Sequence, residues 1–343
     1  MYLGVGVVGM IGNLMVIVVI LSSHRMRRTT TNKFICSQSA LDFFASFFVA
    51  FTSFFRNPGN IPPGILQELF CRFWLTNWPL WSVFVSSTYN LVAMTFERYV
   101  AIVYPLQHGR IVTKRKTYIA IALVWCVGPL WLTAYAVSSS TVKGGVCTVY
   151  SEWPSEFVRK LVSVVTLLLQ YLTPICSITF AYIHIFVTLN RKTDKGLDAG
   201  NDKRNERMSK ARRNVIKTLV QVFAVFVFCW SWNQIYFAFF NFGYPLNLRS
   251  TFYQFTVLFV FANSCMNPFV YTFNYDQFKK VQRQMFCPCL KQTSQSSDSD
   301  SVTRNATERN SQTTLCDSVS NLSHGQLPSQ TSPQQIGSGN TVM

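Results

Sequence analysis

The stretch MTFERYVAIVYPL, residues 94–106, sets an acid and a base side by side at the end of an apolar run. Ionised groups are costly in lipid, so a hydrophobic segment that keeps Glu97 and Arg98 together needs them to pair or to reach the interface. The run that carries them spans about residues 73–103. Six others match its length, near 1–21, 34–55, 117–138, 160–189, 213–242 and 250–273. Each reaches the ~20 residues that take a helix across a bilayer. The chain of 343 residues is 49% hydrophobic and only 13% charged, too apolar for an ordinary soluble protein. Helices satisfy their own backbone in lipid, so the fold class is an all-α membrane protein, a bundle of seven transmembrane helices.

The net charge of +17 raises nucleic acid as a partner, and its distribution argues against that. With 23–33 in the cytosol, the alternate loops, the base of each adjoining helix and everything after 274 lie there too. Those segments hold 25 of the 31 Lys and Arg residues. This positive-inside bias predicts an extracellular N-terminus and a cytosolic C-terminus, and the location expected for the chain is the plasma membrane. The basic face suits anionic membrane lipid. The first run begins at Met1 with no charged segment ahead of it and continues to Leu21, so it reads as a span rather than a signal peptide. An ectodomain ahead of it is expected to be missing.

Residues 1–273 therefore form the membrane domain. In NYDQFKKVQRQMF, 274–286, Tyr275, Phe278, Val281 and Met285 fall on one helical face opposite Lys279, Lys280 and Arg283. That pattern predicts a short eighth helix in the interface. Cys287 and Cys289 close this segment at about 290 and suit S-palmitoylation, the alternative being free thiols. Residues 291–343, rich in Ser, Thr, Gln and Asn, have no apolar period and read as a disordered cytosolic tail. The sequons at Asn305 and Asn321 fall in that tail, so no glycan is expected on them. Among the ten cysteines, only Cys71 and Cys147 are placed on the oxidising side, which predicts a disulfide between them, the alternative being two free thiols.

Asp42, in SQSALDFFAS, and the Glu97–Arg98 pair each have a plain reading, as a hydrogen-bonding group between helices and as an interfacial ion pair. Further motifs change the balance: Gly12-Asn13, Trp125, Pro174, FVFCWSWNQ at 226–234 and NPFVY at 267–271, each in its own span. The set, in this order, resembles a rhodopsin-like (class A) G-protein-coupled receptor over about residues 1–290. The resemblance implies no required cofactor and no catalysis. It implies that Arg98 engages a heterotrimeric G protein, with Glu97 restraining it and Tyr99 completing the motif. Tyr182, eight residues after Pro174, and Tyr271, closing Asn267-Pro268-Phe269-Val270-Tyr271, resemble the tyrosines that swing inward on activation. Asp42, Ser87, Asn263 and Asn267 match the family's allosteric sodium site, with oxygen-bearing side chains suited to a hard cation. Polar packing is the alternative there. Trp230 resembles the toggle tryptophan at the floor of the ligand pocket, with Phe226 one turn below.

The departures from the pattern are specific. The proline expected two residues after the toggle is Trp232, which restores a backbone donor and predicts a straighter sixth helix, or one bent by water and Ser231. Arg212 stands where some members carry an acid that ties down the ERY arginine. Cys71 lies further from Arg98 than the family shows, and Pro79 is a candidate for a bulge that absorbs the excess.

By resemblance, the position that binds an amine is Leu80, and residues 73–96 hold no acid; residues 250–273 hold no lysine for a retinal Schiff base. A peptide, a lipid or a small neutral molecule remains. Trp78, Trp81, Trp232, Asn233, Gln234, Tyr236, Tyr253 and Gln254 mix aromatic anchors with amides and favour a peptide, with packing and interfacial belts the plainer reading for part of the set. The general look resembles neuropeptide receptors of the galanin and allatostatin types. The outer loop 139–157 offers a lid and the charges Lys143, Glu152 and Glu156. The Ser/Thr-rich tail offers sites for a receptor kinase and an arrestin-like partner, against an uninvolved terminus. A seven-helix transporter or channel is the rival from another class, with Asp42, Asn263 and Asn267 as an ion path. The four histidines lie far apart and form no catalytic motif.

Overall fold

Seven helices follow the seven apolar runs: α1 (Tyr2–Ser22), α2 (Thr30–Phe54), α3 (Trp78–Val103), α4 (Lys114–Ser139), α5, α6 (Lys203–Asn241) and α7 (Thr251–Asn274). Helix α5 runs as Glu156–Leu167, a π turn Leu168–Leu172, and Thr173–Gly196. A further helix, α8 (Asp276–Phe286), follows α7. The structure is a computed structural model. It describes residues 2–55, 63–150, 152–196 and 203–286, without the side chains of 191–196, 203–215 and 286.

Among the described residues, six helices are long and apolar enough to cross a membrane on those grounds alone, and α3 is the exception. Its polar residues explain why. Ser82, Ser86, Ser87, Thr88, Asn90, Thr95 and Glu97 are all buried inside the protein. Helix α3 is the central member, packed against α2, α4, α5 and α6, so its polar groups face protein rather than lipid. Apolar side chains such as Ile11, Leu130, Phe180 and Phe228 are exposed on the outside of the bundle, as lipid requires. The starts of α4, α5 and α7 are capped by side-chain oxygens. Thr113 accepts from the Lys116 N–H, Ser155 from Val158 and Ser250 from Tyr253.

Close packing of α3 on α4 depends on Gly128. A Cβ there would overlap the Ser82 carbonyl and the Ser86 Oγ, and the Gly128 N–H donates to Ser86 Oγ at 3.3 Å. Small residues let helix backbones approach in membranes in this way. Trp125 Nε1 ties α4 to α2 by donating to Ser37 Oγ at 3.0 Å.

Pro79 is not the bulge. The surplus residues before α3 are taken up by a π turn, Phe70–Leu75, and by Asn77 in the left-handed region (φ 54°), after which Pro79 sits in the first turn of α3. Proline is tolerated there because that N–H has no intrahelical partner. Helix α6 is unbroken through 228–232. Ser231 returns its hydroxyl to the Val227 carbonyl at 2.6 Å and also meets Tyr171 OH on α5. The π turn of α5 ends two residues before Pro174, and Tyr89 OH on α3 donates to the Leu169 carbonyl within it at 2.9 Å.

Between α4 and α5 a hairpin, β1 (Thr141–Lys143) and β2 (Val146–Thr148), pairs antiparallel with Val142 opposite Cys147. Its two-residue turn needs positive φ at both positions, and Gly144 (57°) and Gly145 (79°) provide it. The disulfide Cys71–Cys147 fixes the hairpin to the segment leading into α3. Glu68 reinforces the joint, accepting from the Val142 N–H at 3.1 Å and from Arg72 Nε at 2.8 Å. The Arg72 hydrogen bond is the main reason the Glu68 carboxyl is held below its ordinary range. The cross-link spans 76 residues, so Cys147→Ser is expected to remove roughly 4 kcal/mol of stability, with a lower melting temperature for the purified protein. An unchanged melt would mean that the joint is held without it.

Candidate functional site

Two adjoining cavities open between the helices at the end that carries the hairpin, of about 570 Å³ and about 60 Å³. Trp81, Tyr150 and Tyr253 line both. Leu80, Asn77 and Gln254 line the larger, and Gln170, Asn233 and Gln234 the smaller. None of the described lining residues is charged. Tyr2 OH holds Gln254, donating to its Oε1 at 2.6 Å, while Asn233 Nδ2 donates to Thr256 Oγ1 at 3.4 Å. The loop charges do not point inward to the cavities: Lys143 pairs with Glu152 at 2.5 Å, and Glu156 with Arg159 at 3.0 Å.

Three residues expected at the pocket sit elsewhere. Trp232 is 48% exposed on the outer face of α6, because one position of a helix cannot share the inward face with both Trp230 and Asn233. Tyr236 stands behind Tyr253, ring centroids 5.2 Å apart, with its OH donating to the Asn247 carbonyl. Trp78 donates from Nε1 to Thr133 Oγ1 at 3.1 Å, which turns it toward α4.

Beneath the cavities the aromatic rings form a continuous column. Trp81 meets Phe84 at 6.0 Å between centroids, Phe84 meets Trp230 at 5.8 Å, and Trp230 meets Phe226 at 5.7 Å. The column continues through Phe223 to Tyr182, whose OH lies 3.3 Å from Thr95 Oγ1 on α3. Phe261 on α7 stacks on Phe84 with the planes 4° apart. Trp230 is 1% exposed, so the floor of the cavity and the core below it are one packed body.

Beside the column lies a buried polar cluster. Asp42 Oδ1 accepts from Ser87 Oγ at 3.0 Å, and Oδ2 accepts from Asn267 Nδ2 at 2.7 Å. Gln38, one turn before Asp42, directs Nε2 to both carboxylate oxygens at 3.3 and 3.2 Å, and also to Ser87 Oγ. Three of the four residues matched to a sodium site thus meet, and Asn263 is not among them. Its Oδ1 is buried with no hydrogen-bond partner among the described residues. Asn13 Nδ2, donating to the Ser264 carbonyl at 2.9 Å, ties α1 to α7 alongside.

At the opposite end Arg98 forms a bidentate pair with Glu97, Nε to Oε2 at 2.6 Å and a terminal nitrogen to Oε1 at 2.9 Å. Glu97 is only 2% exposed and also accepts from Thr31 Oγ1 at 3.0 Å. His108 Nε2, in the loop after α3, lies 3.3 Å from Glu97 Oε1. Tyr99 OH lies 3.0 Å from His184 Nδ1 on α5. Tyr271 is fully buried and its OH has no partner among the described residues, so Tyr182 and Tyr271 share no hydrogen bond. Pro268 is buried within α7 between Asn267 and Tyr271. Tyr275 OH, at the foot of α7, donates to Asn32 Oδ1 at 2.8 Å.

Sequence reasoning overlooked Gln38, Phe84, Phe261 and His108. Phe84 is three residues after Trp81, a spacing that shares a helical face and was available to find it. Cys287, Cys289 and the tail 291–343 lie outside the described residues, as does the side chain of Arg212.

The sequence matches the family described as 7 transmembrane receptor (rhodopsin family) over residues 12–271. Individual relatives are more distant. Tachykinin-like peptides receptor 99D of Drosophila melanogaster is 28% identical over 84% of this chain and 56% of its own length. Galanin receptor 2b of Danio rerio is 26% identical over 81% of this chain and 71% of its own. Somatostatin receptor type 2 of Mus musculus is 28% identical over 83% and 76%. The chain therefore spans little more than half of the first relative and about three quarters of the other two. The matched segment holds the Glu97–Arg98 pair and all of the helix bundle except its two ends, and the chain belongs to the rhodopsin family of seven-transmembrane receptors.

Proposed function

We propose that this receptor converts the binding of an extracellular peptide into activation of a heterotrimeric G protein. The observation that carries the reading is the aromatic column, which joins an uncharged cavity walled by aromatics and amides to the region of Arg98. Aromatic anchors and amides suit a peptide backbone and its apolar side chains. The relatives named above are called receptors for tachykinin-like peptides, galanin and somatostatin. In this reading the hairpin end faces the outside and the Arg98 end the cytosol, in line with the positive-inside bias.

The mechanism is a population shift. A ligand that presses on Trp81 or Tyr253 favours one packing of Phe84 and Trp230 over another, and it moves the equilibrium only by its differential affinity for the two. In the favoured state Arg98 leaves Glu97 and, with Tyr182 and Tyr271, frames a groove for a G-protein helix. The tail serves a receptor kinase and an arrestin-like partner, and acyl chains on Cys287 and Cys289 hold α8 to lipid.

The test is nucleotide exchange in cells expressing the chain, challenged with tissue extract before and after protease digestion. A response that protease destroys and Arg98→Ala abolishes is expected. A protease-resistant response would replace the peptide by a lipid or small neutral molecule. Cation current without nucleotide exchange would replace the receptor by a channel.

A further inference from the structure

We propose that Gln38 occupies the place of the sodium ion, so that the polar core of this receptor is closed by a tethered amide and is insensitive to sodium. The orientation of the amide follows from its partners rather than from the shape of its side chain. A backbone carbonyl can only accept, so Asn90 must present Nδ2 to the Phe34 carbonyl, at 3.0 Å. The same Nδ2 reaches Gln38 at 2.9 Å, so the Gln38 atom it meets is Oε1. Nε2 is thereby turned toward Asp42, whose carboxylate oxygens accept. A chain of amides running from Phe34 through Asn90 and Gln38 thus delivers N–H donors to the carboxylate.

The arrangement does not fit a sodium ion. A hard cation needs several oxygens directed at one point. Here Oδ1 of Asp42 already accepts from Ser87 and Gln38, and Oδ2 from Asn267 and Gln38. Ser87 Oγ gives its proton to Asp42 and accepts from Gln38. Nε2, within hydrogen-bond reach of all these oxygens, lies where a cation shared by them would lie, and its hydrogens would face the ion. Asn263 Oδ1 and Asn267 Oδ1 remain buried without a partner among the described residues. They are single acceptors that a water molecule satisfies as well as an ion does. Asp42, Gln38, Ser87 and Asn90 are each 5% exposed or less, so the amide has no room to withdraw into solvent.

The experiment is the melting temperature of the purified full chain in neutral detergent, with sodium, potassium or choline chloride at equal ionic strength. The wild type is expected to melt at one temperature in all of them. Gln38→Leu removes the donors and should create a sodium-specific rise of roughly 2–4 °C over potassium, which a further Asp42→Asn change abolishes. A sodium-specific rise in the wild type would overturn the proposal. So would a folded Gln38→Leu protein with no such rise. Should that variant fail to fold, Gln38→Ala provides the same comparison, and the wild-type result decides by itself whether sodium binds. None of these readouts depends on the nature of the agonist.

Discussion

Arg98→Ala is expected to leave agonist-driven nucleotide exchange at background, while Glu97→Gln is expected to raise ligand-free exchange about tenfold. The opposite signs follow from one buried pair. Glu97 holds Arg98 through a bidentate, charge-assisted contact at 2.6 and 2.9 Å, and it is itself held by Thr31. Hydrogen bonds to a charged group contribute roughly 1.5–3 kcal/mol against about 1 for neutral ones. Replacing the carboxylate by an amide keeps the shape and an acceptor for Thr31 but weakens the hold on Arg98 by about 1.4 kcal/mol. That is close to a tenfold change in the population with Arg98 released. Removing Arg98 takes away the group proposed to engage the G protein and leaves Glu97 buried with Thr31 and His108 as its partners among the described residues. Exchange by a purified G protein, read against receptor abundance, checks both variants. Unchanged ligand-free exchange in Glu97→Gln would show that the pair does not restrain the receptor.

Gly128→Val should yield no folded receptor at all. Overpacking usually costs about 1–3 kcal/mol because side chains rotate aside. Here the added atoms meet the Ser82 carbonyl, which is backbone, so relief requires α3 and α4 to separate. Separation would also break the Ser86 contact with the Gly128 N–H and the Trp78 contact with Thr133 across the same interface. Size-exclusion chromatography of detergent extracts should show aggregate only. A monodisperse peak with an unchanged melt would mean that α4 packs elsewhere.

Much of this architecture is legible in the sequence because lipid imposes length and apolarity on each span. Even α3, the least apolar, is marked by ERY at its end and by the run before it. The disulfide follows from compartment alone. The Asp42 cluster is half legible: Ser87 and Asn267 meet the carboxylate, whereas Gln38 reads in SQSALD as one more polar residue, since nothing local records that Asn90 orients its amide. The π turns at Phe70–Leu75 and Leu168–Leu172 carry no turn residues and arise from packing, so pattern reading passes over them. The Gly144-Gly145 hairpin was readable from a glycine pair between TVK and VCT. Trp232 misled because position relative to a missing proline says nothing of which way a side chain faces.

The aromatic column also separates two quantities that pharmacology measures apart. Residues at the rim, such as Tyr150 and Gln254, line the cavity, and the Tyr150 ring packs on Tyr135 and Phe237 rather than on the column. Substitutions there change how tightly a ligand is held and leave intact the apparatus that reads it. Phe84, Trp230 and Phe226 have the opposite character, being buried rings that on the proposed reading carry the signal onward. On the proposed function, affinity and efficacy are written in different parts of the chain, and a lineage can exchange one ligand for another without rebuilding its response.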